Sequence, residues 1–373
     1  MLNNIFNYFS YYQWWKNLDK FIFSLIITLF LTGLFFSLVS TSLIASDKLE
    51  TNSYFFFFKH LVFVLIGLFL IFLFSYINRR TLYKISIYIF LLSSILLLLV
   101  PIIGVEVKGS KRWLDLFFLP RLQPIELVKP FFIVILGLII SNDKLHNYTL
   151  KFIISLSLTL SIILLLVIQP DLGQTLLIGF SWIILIFISG INLIILFSIS
   201  VFAIISLLWI AFYVPKFEYI KNRLLSFFNT ETGTHNFQSD KALDSITSGG
   251  FFGKGIGEGT LKNRVPEAHT DYIISVISEE FGVIAIMLIL VLFLVFIFTI
   301  LKKVDSETNN TIKLILVGSA SLILLQAMIH IGVNIRLFPT TGMTLPFLSY
   351  GGSSIISVSI LSGLILNLTK RKV

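Results

Sequence analysis

Phe21-Ile22-Phe23-Ser24-Leu25-Ile26-Ile27-Thr28-Leu29-Phe30-Leu31-Thr32-Gly33-Leu34-Phe35-Phe36 opens an apolar run that reaches Ala45 without one charged side chain. At about 1.5 Å of rise per residue, a helix of that length crosses a hydrocarbon core of about 30 Å. The run is too long for a signal-peptide core and no small-residue cleavage site follows it, so it reads as a retained span. Similar runs recur along most of the chain. Helices are expected at about 21–45, 57–77, 83–103, 124–141, 150–168, 173–189, 191–214, 273–301, 311–335 and 345–368. The fold class is therefore an all-α integral membrane protein with about ten transmembrane helices, a single polytopic membrane domain over 1–373. A large extracytoplasmic loop, 215–271, separates helices 7 and 8.

Composition agrees with this. Of 373 residues, 56% are hydrophobic and only 13% charged, against about 25% charged in soluble domains. Mean hydropathy is +0.96. A soluble fold is excluded. The absence of cysteine excludes a disulfide framework, a thiolate nucleophile and a cysteine-ligated metal. The net charge of +9 reads as cytoplasmic anchoring, since no basic segment interleaved with aromatics stands in a soluble stretch to bind nucleic acid. Lys16, Lys20, Arg79, Arg80, Lys84, Lys144, Lys151, Lys302, Lys303, Lys313, Lys370, Arg371 and Lys372 all fall on one side if both termini are cytoplasmic.

Two outer segments break that rule. Residues 104–123 carry Lys108, Lys111, Arg112 and Arg121 against Glu106 and Asp115, and the 215–271 loop holds both signs. A loop that long is functional or disordered. Its Phe227, Phe228 and Phe237, with a dense glycine cluster, point to a folded one. Cations on the unfavoured side call for an anion, either a ligand or lipid headgroups.

Five motifs carry polar chemistry. Lys111-Arg112-Trp113 precedes Arg121-Leu122-Gln123-Pro124-Ile125-Glu126-Leu127-Val128-Lys129. Glu126 and Lys129 share a helix face just inside the membrane boundary, where an ionisable pair is either a functional site or a structural ion pair. In Gln169-Pro170-Asp171-Leu172-Gly173-Gln174-Thr175, Asp171 reads as a structural cap on the next helix. Gly249-Gly250-Phe251-Phe252-Gly253-Lys254-Gly255-Ile256-Gly257-Glu258-Gly259 resembles a phosphate cradle of backbone N–H groups, without P-loop spacing, and equally a flat interfacial loop. Pro266-Glu267-Ala268-His269-Thr270-Asp271 places two carboxylates and a histidine at the mouth of a span, where pKa values are tuned. There Asp271 divides between helix cap and catalyst. One histidine with carboxylates argues against zinc, whereas a hard divalent cation (Mg or Mn) held by Asp271 and phosphate oxygens stays open. Finally, Pro339-Thr340-Thr341-Gly342-Met343-Thr344-Leu345-Pro346-Phe347-Leu348-Ser349-Tyr350-Gly351-Gly352 interrupts the start of the last span, as the wall of a polar cavity would.

In this order, the motifs resemble the SEDS family (shape, elongation, division and sporulation) over roughly Trp14 to Lys370, more the division branch, FtsW, than the elongation branch, RodA. The resemblance implies peptidoglycan glycosyl transfer from lipid II, with no cofactor certain, at the outer face of the inner membrane and at the division septum. It assigns the proton-accepting role to Asp271. Position and charge nominate Arg112, Arg121 and Lys129 for the pyrophosphate, with Gln123, Glu126, Lys254, Glu267, His269, Ser349 and Tyr350 as further substrate contacts. It also implies a class B penicillin-binding protein (FtsI-like) and other divisome proteins as partners, because nothing in this chain could crosslink peptides. Thr341 stands where that branch often has lysine, and Arg336 where a small residue is common; Arg336 is a candidate to supply the charge. A lipid II flippase and a non-catalytic scaffold are the competing readings. A flippase needs charge near the midplane, whereas the strongest cluster here lies at the surface.

Overall fold

A computed structural model of the chain describes residues 11–49, 54–107, 110–116, 119–145, 147–228, 234–261 and 265–370. Lys108, Arg371 and Lys372 lie outside them. The described residues form thirteen α-helices and one small sheet. In chain order these are α1 (Tyr11–Asn17), α2 (Lys20–Leu49), α3 (Phe55–Tyr76), α4 (Arg79–Ile103), β1 (Val105–Val107), β2 (Ser110–Leu116) and β3 (Leu119–Leu122). They continue as α5 (Pro124–Ile140), α6 (Tyr148–Ile168), α7 (Leu172–Ile188), α8 (Leu193–Tyr213), α9 (Glu218–Phe228), α10 (Thr234–Gly249), α11 (Ile273–Ser306), α12 (Asn310–Asn334) and α13 (Gly352–Leu368).

Seven helices (α2, α3, α4, α6, α8, α11 and α12) are long and apolar enough to cross a membrane. The other three expected spans correspond to helices of 17 residues each, α5, α7 and α13. This is an all-α, multi-pass membrane protein.

The bundle closes around α12, whose apolar window is 72% buried, whereas that of α8 is 6% buried. Helix α12 packs on α5, α7, α11 and α13. Its crossing with α5 is close because each helix offers a glycine to the other's isoleucine. A methyl group on Gly137 would come 2.6 Å from Ile315, and one on Gly318 2.6 Å from Ile133. Small residues at matched positions are how helices gain contact in a bilayer, where apolar burial between helices offers little drive.

One segment without an expected element proves to be a sheet, and two expected spans differ from the helices observed. Val105–Val107, Ser110–Leu116 and Leu119–Leu122 form a three-stranded antiparallel sheet in the order β1-β2-β3, with Val105 opposite Trp113 and Leu114 opposite Leu122. Along β2, exposed Lys111 and Asp115 alternate with half-buried Arg112 and buried Leu114, the period of two of a half-covered strand. The span expected at 273–301 is broken at Gly282, which has φ 76° and ψ −178°. There the Phe251 carbonyl presses so close that a Cβ has no room, and Val283 and Ile284 donate their N–H groups to Gly250 and Phe251 instead. The last helix begins at Gly352, not 345. Leu345 to Ser349 form a buried non-helical segment, with Phe347 at φ 66°.

Candidate active site

The sheet hands Arg112 to the turn between α6 and α7. Its guanidinium donates to the Pro170 carbonyl, and Nη1 stands 3.6 Å from Oδ1 of Asp171. Asp171 caps α7 as the sequence suggests, accepting from the Gln174 N–H at 3.4 Å. It also accepts from Nε2 of Gln123 at 3.0 Å. Its burial at 2% exposure is balanced by this full set of donors. Arg112 keeps one buried donor, Nε, without a partner.

The acidic loop is folded by its own carbonyl groups. Glu267 adopts φ 56°, and its carbonyl accepts from the N–H groups of Thr270, Asp271 and Tyr272 at 3.0, 3.1 and 3.3 Å. Two bonds then tie the loop to the interrupted segment before α13. Ser349 Oγ donates to the Thr270 carbonyl at 2.7 Å, and the Tyr350 N–H donates to the His269 carbonyl at 3.1 Å. The His269 ring lies against Phe56, centroids 4.5 Å apart, with Tyr350 at 6.1 Å. From α12, Asn334 Nδ2 donates to the Asp271 carbonyl at 3.1 Å and to the His330 carbonyl at 2.8 Å. The cap position of α11 falls on Tyr272, one residue after Asp271, and forms no side-chain capping bond. Asp271 and Arg112 meet at Gly342. A methyl group there would sit 3.5 Å from Oδ2 of Asp271 and 3.9 Å from Nη1 of Arg112.

Other sequence-predicted residues lie elsewhere. Glu126 and Lys129 are 3% and 1% exposed and pair at 2.7 Å inside the bundle. Gln174 donates to Glu126 at 2.9 Å, and Lys129 donates to Gln326 at 3.1 Å. Lys129 is thus a buried member of an ion-pair network with Glu126 and Gln326. Arg121 sits exposed on the hairpin, 3.9 Å from Asp115. The glycine-rich loop is a cradle for the chain's own carboxylates. Glu279 accepts from Leu261 N–H at 2.9 Å and Ser245 Oγ at 2.8 Å, with Lys254 Nζ at 3.4 Å, and Glu280 accepts from Gly257 N–H at 3.3 Å. Lys254 is therefore committed to Glu279.

Sequence reasoning missed Asn334 and Arg223. Arg223 on α9 donates to the Thr340 carbonyl at 3.3 Å, two residues before Gly342. Tyr219, one turn earlier, donates to the Val167 carbonyl at 2.9 Å, docking α9 on the turn that holds Arg112. Burial and the charge of Arg112 pull the Arg223 guanidinium below its ordinary range, against Asp171, Tyr219 and Tyr272. Burial pushes the Tyr219 hydroxyl up to about 12. The one available signal for Arg223 was a basic residue in an outer loop, which does not say where the loop folds.

Comparison with known proteins decides the family. The sequence model of the cell cycle proteins FtsW, RodA and SpoVE matches residues 19–373. The chain belongs to that family. Within it the chain stands nearest the FtsW branch. It is 30% identical to the "Probable peptidoglycan glycosyltransferase FtsW" of Caulobacter vibrioides over 96% of this chain and 91% of that one. It is 33% identical to the protein of the same name from Coxiella burnetii, over 88% and 90%. A solved structure described as "Structural coordination of polymerization and crosslinking by a peptidoglycan synthase complex" matches with a TM-score of 0.78 at 25% identity, covering 94% of this chain and 97% of that one. The RodA of Thermus thermophilus matches at 0.68 and 26%, covering 95% and 97%.

The two departures from the FtsW pattern have structural readings. Thr341 is buried against Gly173, and Arg336 is drawn 2.6 Å from Asp240 on α10, so neither puts a free cation beside Asp271. Among the described residues, no three histidines or carboxylates come together as metal ligands.

Proposed function

We propose that this chain is a glycosyltransferase that polymerises lipid II into peptidoglycan strands at the outer face of the cytoplasmic membrane, in septal wall synthesis. The observation that carries the reading is the meeting of one carboxylate and one guanidinium, Asp271 and Arg112, at the small space over Gly342. The names of the FtsW relatives support the reaction class. In the reaction, a sugar hydroxyl of the acceptor attacks the anomeric carbon of the donor, and its proton passes to the Asp271 carboxylate. A glycosidic C–O bond forms as the bond to undecaprenyl pyrophosphate breaks, and the leaving group departs with the electron pair. Arg112, held by Pro170 and Asp171, stabilises the charge that grows on it. Asn334, Ser349 and the Glu267 carbonyl fix the loop so that Asp271 is aimed before substrate arrives. The resemblance to a peptidoglycan synthase complex supports a class B penicillin-binding protein as the crosslinking partner.

The buried Glu126–Lys129 pair, closed on both sides by glutamines, leaves no charge free to move and gives a transporter reading no support. General-base assistance contributes about 10²–10⁴-fold. Purified Asp271→Asn supplied with labelled lipid II and the partner should lose polymerisation by that factor while keeping the wild-type melting temperature. Undiminished glycan from Asp271→Asn, or none from wild type under active conditions, removes the proposal.

A further inference from the structure

Arg223 is a half-buried cation near the site that the reaction above leaves without a task. It reaches the site from α9, in the large loop, and its single hydrogen bond goes to the Thr340 carbonyl. Among the described residues, no carboxylate lies within ion-pairing distance of it. The charges acting on it include Arg112, of like sign, and Asp171, whose oxygens already serve Arg112, Gln123 and the Gln174 N–H. A charge partly withdrawn from water is usually met by one of opposite sign, because leaving it uncompensated is costly. The two guanidiniums share Asp171, whose oxygens are already committed, and Asp271, which the reaction above reserves for the acceptor proton. Both hold onto the same scaffold: Arg112 on Pro170 and Arg223 on Thr340, with the Nε of Arg112 still free to donate.

We propose that Arg223 is a second ligand of the pyrophosphate, closing with Arg112 a two-guanidinium clamp on the lipid-linked leaving group. The assignment rests on the glycosyltransferase reading for the identity of the anion. A planar guanidinium fork matches phosphate oxygens two at a time, so two forks suit two linked phosphates better than one. Arg223 comes from the loop, so the clamp is complete only while α9 is docked by Tyr219 on Val167. Loop docking and leaving-group binding are then one event.

The test measures binding of undecaprenyl pyrophosphate and undecaprenyl phosphate to the purified full chain in detergent, alongside lipid II polymerisation. Wild type should prefer the pyrophosphate. Arg223→Gln should weaken pyrophosphate binding by about 10- to 100-fold, the loss of one charge-assisted contact pair, and leave monophosphate binding nearly unchanged. Arg223→Lys should recover part of the affinity. Melting without ligand separates loss of the Thr340 bond from loss of a ligand contact. If Arg223→Gln does not fold, Arg223→Lys carries the test, a drop of about tenfold supporting the clamp and wild-type affinity refuting it. Equal pyrophosphate affinity in wild type and Arg223→Gln, or no binding by wild type, overturns the assignment. Polymer formation by wild type judges the glycosyltransferase reading separately.

Discussion

Gly342 decides how much space the reacting groups have. It holds φ 70°, a left-handed conformation that glycine adopts without penalty, and it is exposed between a carboxylate and a guanidinium. Gly342→Ala adds a methyl group at ordinary contact distance from both, so it fills space without collision. The backbone strain should cost about 1 kcal/mol of stability. The effect on chemistry should be larger, since displacing a reacting group by about 1 Å can cost about 10²-fold in rate. Steady-state polymerisation should therefore fall by about tenfold or more, with only a small change in melting temperature. Unchanged kinetics would mean that substrate does not pass over Gly342. Asp271 itself was legible as a candidate because two carboxylates and a histidine crowd a span's mouth. That it is not the cap of α11 was not legible, because cap position depends on a one-residue offset set by the Glu267 carbonyl turn.

At the scale of elements, the sequence announces spans well and their irregular ends poorly. Apolar runs reveal α2 through α8 because hydrophobicity is local information. Leu345 to Leu348 are as apolar as a helix interior, yet Pro346 and the positive φ of Phe347 keep them out of α13. The glycine-rich loop misleads in the same manner. Its N–H groups do bind an anion, but that anion is supplied by the chain at Glu279 and Glu280, residues whose apolar surroundings hid their purpose. Only long-range contact reveals such pairings, as it does for Arg223 and Thr340. The cradle makes a prediction of its own. Glu279 is fully buried and takes hydrogen bonds or an ion pair from Ser245, Lys254 and Leu261. Glu279→Ala leaves the Leu261 N–H without its carboxylate, while Ser245 keeps the Ser275 carbonyl and Lys254 turns to water, and should cost about 1–3 kcal/mol. Amide exchange should rise across residues 250–261 first, because that segment hangs on the carboxylate. Exchange confined to wild-type rates there would show that the glycines, not Glu279, hold the loop.

For the molecule as a whole, the number of crossings fixes which groups share a compartment. Helices of 17 residues rise about 26 Å, slightly less than a core of about 30 Å. Such helices cross by local thinning of the bilayer, or with flanking backbone buried in protein, as Leu345 to Ser349 are before α13. Counting α5, α7 and α13 as crossings gives an even number and returns the chain to the side where it began. Counting only the seven long helices gives an odd number and puts the ends of the chain on opposite sides. The distribution of lysine and arginine favours the even count. The absence of cysteine makes the choice measurable without background. Tyr12→Cys, Lys144→Cys, Ser306→Cys and Phe252→Cys all alter exposed positions. In intact spheroplasts, an impermeant maleimide should label Phe252→Cys alone and reach the other three only after permeabilisation. Lys144→Cys is the most informative, because it lies between α5 and α6. Were α5 to re-enter without crossing, position 144 would share a side with the hairpin and be labelled from outside. Labelling there would move the basic cluster after α5 to the outer face. Protection there, with Phe252→Cys labelled, would put Asp271, Arg112 and Arg223 where a lipid-linked substrate is presented on the outer leaflet.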